Sequence, residues 1–304
     1  MLILGLAITF ATVAALVLEF LRKRRAPLPV YAWAALATLI AAWLLMLRGV
    51  YPVAVYFTPI AWTCYILLVD SAVLAVTGRS RLRENPREFA LLALLSIPLW
   101  LAFEAYNLRL RNWTYVGVPS EMALALLGYA WSFATITPAM LQTADLVESF
   151  GWFAPARPLQ FSAAAKWGMM VFGATCLAVP LLLPPNIAAY VFALVWIGFV
   201  FLLDPLNHRL GLPSLVGDFS AGRRSRFWSL LVAGWTCGWL WELWNYWAAA
   251  KWHYTFPMFR NLKIFEMPLP GYLGFLPFAL ECFAMYMTAR WLLGKAGVRV
   301  RVAS

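Results

Sequence analysis

Long apolar runs alternate with short polar segments along almost the whole chain. Divided into spans of about 20 residues, the length that crosses a bilayer, the runs fall at about 2–21, 28–48, 53–77, 88–107, 121–146, 167–184, 187–205, 227–248 and 271–292. The pattern predicts an all-α, polytopic membrane protein with about nine transmembrane helices. Pro184-Pro185 separates the sixth and seventh spans, which can also be read as a broken pair. The first run, MLILGLAITFATVAALVLEFL, carries its charges behind it and lacks a basic start and an A-x-A-like cleavage site. It is expected to be a retained helix rather than a signal peptide.

Composition sharpens this. Hydrophobic residues make up 63% and charged residues 12%, against roughly 25% charged in soluble domains. The net charge of +11 does not gather on one soluble face, so nucleic acid is not an expected partner. The basic residues lie between the apolar runs, where topology signals belong. RKRR (22–25), RSRLRENPR (79–87), Arg157, Lys166, Arg209, Arg223, Arg224, Arg226, Arg290, Lys295, Arg299 and Arg301 fall on one side. The other side receives Arg48, Arg109, Arg111, Lys251, Arg260 and Lys263. The positive-inside bias places the C-terminus in the cytoplasm and the N-terminus outside, in a multi-pass protein of the cell inner membrane. Cys64, Cys176, Cys237 and Cys282 stand singly in apolar segments and suit packing. No metal and no cofactor are expected. The chain shows no CxxC pair, P-loop, DDxxD-like cluster or dinucleotide-binding glycine motif, and His208 and His253 fall on opposite sides.

Two blocks follow one script. Asp70 and Asp204 end the third and seventh spans, each ahead of a basic loop. FEAYN in the fourth span matches WELWN in the eighth, pairing Glu104 with Glu242 and Asn107 with Asn245. Both blocks continue through W-x-Y, Trp113-Thr-Tyr115 and Trp252-His-Tyr254, to a proline (Pro119, Pro268) and a helix carrying GY (Gly128-Tyr129, Gly271-Tyr272). This order predicts two parallel three-helix repeats. The chain then divides into two N-terminal helices (1–52), a first repeat (53–146), a linker with the sixth helix (147–186), a second repeat (187–292) and a basic cytoplasmic tail (293–304).

An acid within a membrane is costly and marks a functional hypothesis. Glu and Asn at i and i+3 share one helix face, and the Glu242 face also carries Trp235, Trp239 and Tyr246. Desolvation favours the neutral acid. A neutral acid in an aromatic cage can protonate an alkene, and ring faces stabilise the cation. Glu242 and Glu104 are therefore the candidate catalytic acids. Asn107, Asn245, Trp235, Trp239, Tyr246, Trp252, Tyr254, Trp113 and Tyr115 are the candidate substrate-binding set. The W-x-Y residues also fit an interfacial aromatic belt, and the glutamates fit structural pairing with Asn, Arg or Trp. Asp70 and Asp204 fit ion pairing or capping of a cytoplasmic helix. Glu121 is placed to cap the fifth helix, and Glu281, mid-span, needs an internal partner.

Over about residues 60–292 the pattern resembles the membrane-integral lycopene cyclases of the heterodimeric bacterial and archaeal type. The resemblance rests on Phe103-Glu104, Trp241-Glu242, both W-x-Y segments and Pro119-Ser-Glu121. It implies two copies of a three-span unit and cyclisation of a polyene without a cofactor. The family's Pro-x-Glu-Glu motif departs here: Met122 replaces its second glutamate in the first copy, and the second copy reads Pro268-Leu-Pro270-Gly271. The expected activity is intramembrane proton transfer to a polyene or terpenoid lipid, in the manner of an isomerase. The alternative is a non-catalytic protein that binds carotenoid, quinone or lipid, or a subunit of a larger membrane complex. Expected partners are membrane lipids and a polyene or isoprenoid ligand, with homo- and hetero-oligomers both open.

Overall fold

The computed structural model describes residues 1–296 of the chain; Arg299 and Arg301 of the basic tail lie outside the described residues. The helices are α1 (Leu2–Lys23), α2 (Val30–Leu47), α3 (Phe57–Thr77), α4 (Arg81–Glu84), α5 (Pro86–Leu110), α6 (Met122–Ser149), α7 (Ala163–Leu182), α8 (Pro185–Ala188), α9 (Val195–Arg209), α10 (Leu215–Ser220), α11 (Ser225–Trp247) and α12 (Tyr272–Lys295). Four short strands accompany them: β1 (Trp113–Val116), β2 (Lys251–Tyr254), β3 (Lys263–Ile264) and β4 (Met267–Pro268).

Among the described residues, seven helices are long and apolar enough to cross a membrane: α1, α2, α3, α5, α6, α7 and α12 with the turn before it. These seven support a helical membrane protein. α11 has 23 residues, but its tryptophans, Glu242 and Asn245 dilute its hydropathy. The expected seventh span, 187–205, is divided. α8, a 3-10 turn at Phe192–Leu194 and the 15-residue α9 follow one another after Pro184-Pro185. At 1.5 Å per residue α9 reaches about 22 Å, short of the roughly 30 Å hydrocarbon core.

Local chemistry sets the helix starts at the arginine-rich end. Ser80 caps α4, Asn85 caps α5 with Pro86 in its first turn, and Ser214 caps α10. Capping is also the role taken by the two buried aspartates. Asp70 accepts from Leu82 N (3.1 Å), Ser80 Oγ (2.9 Å) and Tyr31 OH (2.8 Å). Asp204 accepts from Leu215 N (2.7 Å) and Val216 N (2.8 Å). Each carboxylate therefore meets the free N–H groups and positive dipole end of the short helix that follows it. Glu121 occupies the cap position of α6 without a side-chain capping bond. Arg81–Asp145 (2.5 Å), Asp218 with Arg223 (2.7 Å) and Arg226 (2.6 Å), and Glu88–Arg290 complete this end.

α11 runs through the middle of the bundle, against α12, α6, α1 and α3. Close approach to α12 requires glycine. A Cβ on Gly234 would lie 2.2 Å from Phe275 O, and one on Gly238 2.4 Å from the Phe275 ring. Small residues let backbones meet in this way where lipid provides no hydrophobic drive between helices. The substitution Gly234→Ala is expected to destabilise the protein by about 1–3 kcal/mol through overpacking. Thermal unfolding in detergent should show a lowered midpoint.

Candidate functional site

At the opposite end from the arginine clusters, β1 and β2 pair antiparallel, with Trp113 facing Tyr254 and Tyr115 facing Trp252. The expected W-x-Y belt is therefore a two-stranded ribbon. Two asparagines hold it. The Asn107 Oδ1 accepts from Asn112 N (2.8 Å) and Trp113 N (3.2 Å), and its Nδ2 donates to Trp113 O (2.9 Å). The Asn245 Oδ1 accepts from Trp252 N (2.9 Å), and its Nδ2 donates to Trp252 O (2.9 Å). Both amides are consumed by backbone, so they position the strands and do not orient a ligand or the glutamates.

Alternation along a strand sends i and i+2 to one face. Here that face presents Trp113, Tyr115, Trp252 and Tyr254 to a cavity with about 1200 Å³ of empty space, part of it continuous with the exterior. Trp62 of α3, Trp100 of α5, Trp196 of α9 and Trp241 of α11 complete the aromatic wall, with Phe275 and Phe278 of α12. Trp241 is its hub, with ring centroids 5.5 Å from Trp100, 5.8 Å from Trp62 and 5.5 Å from Trp252. Such edge and tilted contacts each add about 0.5–1.5 kcal/mol beyond burial.

The two glutamates stand behind this wall. Glu104 Oε1 accepts from Tyr115 OH (2.5 Å), Trp100 Nε1 (2.8 Å) and Trp113 Nε1 (3.1 Å). Glu242 is fully buried. Its Oε1 accepts from Tyr254 OH (2.8 Å), while Trp252 Nε1 donates to the Tyr254 oxygen (2.9 Å). Glu242 Oε2 has no hydrogen-bond partner among the described residues. Neither glutamate lines the cavity; a tyrosine hydroxyl stands between each carboxyl and the space. Burial, and then the adjacent glutamate, push both tyrosine hydroxyls well above their ordinary pKa. Both therefore stay neutral near pH 7 and act as donors to the carboxyls.

Besides Asn107 and Asn245, three further expected binding residues are not in the cavity wall. Trp235 donates from Nε1 to Thr12 Oγ1 of α1 (3.2 Å). Trp239 stacks on Tyr272 at 4.0 Å, and Tyr246 packs on Phe265 at 5.7 Å. The helical period puts these three on the Glu242 face, and packing turns that face toward α1 and the residues before α12. The adjoining face, which carries Trp241, meets the cavity. Trp241 lies inside the WELWN motif, whereas Trp62 and Trp196 come from other spans and carry no motif. Glu266 ion-pairs with Lys251 Nζ (3.2 Å) and meets His253 Nδ1 (3.1 Å). Among the described residues no group of His, Cys, Asp and Glu could hold a metal ion.

The substitution Asn245→Ala leaves Trp252 N–H and C=O without their side-chain partners, at a cost of about 1–3 kcal/mol. Thermal unfolding and near-UV circular dichroism should report this as a lowered midpoint and altered tryptophan signal. No protein-family model, curated protein or solved structure matches the chain.

Proposed function

We propose that the protein is a lycopene cyclase-like membrane enzyme that takes the chain of a polyene or terpenoid lipid into the aromatic cavity and transfers a proton to it there. One observation carries this reading: two tyrosine–glutamate pairs stand at the wall of a tryptophan-lined cavity. The Tyr254 hydroxyl, which rests as a donor to Glu242, turns toward the substrate; neutral Glu242 then donates to the Tyr254 oxygen and passes its proton there as the hydroxyl proton adds to a terminal C=C carbon. The adjacent carbon becomes cationic, and the faces of Trp241 and Trp252 stabilise it. Attack by a second double bond closes a ring and moves the positive charge. Loss of a proton from the neighbouring carbon to Glu104, by way of Tyr115, restores an alkene. One proton enters and one leaves, so the net change is isomerisation and no redox partner is needed.

The repeat and the orientation belong to the same proposal. The paired asparagine brackets, tyrosine–glutamate contacts and aspartate-and-serine caps support descent from two parallel three-helix units. The arginine clusters at the other end support a cytoplasmic location for that end, with the ribbon outside. A nine-span count adds α11 and the divided segment from α8 through α9 to the seven apolar helices. The second reading is a binding protein without turnover. It is favoured by the absence of an acidic side chain from the cavity lining.

General acid catalysis contributes roughly 10²–10⁴-fold, and Glu242→Gln or Tyr254→Phe should lower product formation by that order with expression and unfolding midpoint retained. Mass spectrometry of lipids extracted from purified protein provides the check. An open-chain polyene together with its cyclised isomer supports the enzyme. A single unmodified ligand, or undiminished product in Glu242→Gln, refutes the proton-transfer role.

A further inference from the structure

Helices that wall the aromatic cavity also wall a second cavity at their other ends, with about 2650 Å³ of empty space, part of it continuous with the exterior. The aromatic cavity reaches inward to Trp100 on α5, Ile136 on α6 and Phe278 on α12. On the same helices the second cavity begins at Leu92, Asp145 and Tyr286. The closed layer between them is therefore about two helical turns on all three helices, roughly 12–13 Å at 1.5 Å per residue.

That layer is built from interrupted helices. Pro98 lies within it on α5, Pro138 on α6, and Pro277 at its edge on α12. Each proline removes one backbone donor from the helical ladder. On α6 the residue before the proline is also involved: Ser96 Oγ of α5 accepts from Thr137 N (3.0 Å) and donates to Phe133 O (2.6 Å). A side chain inserted across that i→i−4 position, next to a proline, is a recognised cause of a helix kink. Across the same layer the Cys282 thiol of α12 lies against the Thr137 hydroxyl. The prolines of α7 and α9 lie instead in the last two turns of their helices.

The chemistry of the two cavities is complementary. The aromatic one suits an apolar chain. The second is lined by the ion pairs Arg79–Glu84, Arg81–Asp145 and Arg290–Glu88, with as many acidic as basic side chains among the described residues. A charge-balanced lining suits a zwitterionic head rather than a simple anion.

We propose that the α5–α6–α12 seam opens as a passage through which a lipid with a zwitterionic head crosses between the two membrane faces. This rests on the reading that the aromatic cavity holds a lipid chain. The hinged layer closes the passage at rest, and bending at the prolines joins the two cavities.

Full-length protein in phosphatidylcholine vesicles provides the test, with nitrobenzoxadiazole-labelled phosphatidylcholine as the transported probe and dithionite reduction of outer-leaflet label as the readout. Wild-type protein should expose inner-leaflet label faster than protein-free vesicles do. In Thr137→Cys, oxidation to a bond with native Cys282 should reduce the rate to the protein-free level, and reductant should restore it. Thr137→Cys combined with Cys282→Ala should be indifferent to oxidant. A wild-type rate equal to that of protein-free vesicles overturns the passage without recourse to any variant. So does undiminished transport in protein shown by thiol titration to be cross-linked. Quenching of tryptophan fluorescence by parinaroyl-phosphatidylcholine tests the underlying reading separately. Quenching without transport leaves the cavity reading intact and removes the passage, whereas transport without quenching removes the cavity reading.

Discussion

Two asparagine side chains, each bonded to both backbone groups of a tryptophan in the strand after its helix, decide the shape of one end of this protein. Asn107 holds Trp113 and Asn245 holds Trp252. Where the chain leaves a helix near a membrane surface, its backbone donors and acceptors need partners. The amides supply them, and the strands supply the rest by pairing with each other. Because β1 follows α5 and β2 follows α11, this pairing joins segments far apart in sequence. It also presents two W-x-Y segments to one shared cavity.

The carboxyls depend on that arrangement. Glu104 and Glu242 have no ion-pair partner among the described residues and are held by tyrosine and tryptophan donors. An unpaired buried carboxyl is costly, and uncharged donors stabilise it less than a cation would. The two halves differ in degree. One oxygen of Glu104 takes three donors, whereas Glu242 is sealed from solvent with one oxygen unpartnered. The same topology places proline-bearing stretches of α5, α6 and α12 between an aromatic cavity and an ion-paired one. An aromatic lining and a layer of proline-bearing helices therefore occupy consecutive levels of one bundle.

Much of the fold was legible because it follows from local physics. Apolar run length marks the seven long helices. The order of Asp, Glu-Asn and W-x-Y puts Glu104 and Glu242 at matching places along the chain, and each accepts from the tyrosine of the W-x-Y segment that follows it. The ribbon was not legible, because Trp and Tyr near a membrane surface have the same composition in a belt as in a strand. Trp235, Trp239 and Tyr246 show a different limit. Periodicity put them on the face of Glu242, but it is silent on which neighbour that face meets.

The sequence by itself determined that the chain is helical, membrane-embedded in character and marked by a recurring acid–amide–aromatic motif, since each property depends on residues within a few turns of one another. Only the tertiary structure decided that the asparagines bind backbone, that tyrosines shield both glutamates from the cavity, and that Trp241 anchors its wall. Those outcomes depend on helix rotation and on pairing between strands far apart in sequence, set by contacts such as Phe275 against Gly234 and Gly238. WELWN alone contains the acid, the amide and the aromatic hub; packing assigned each a different neighbour.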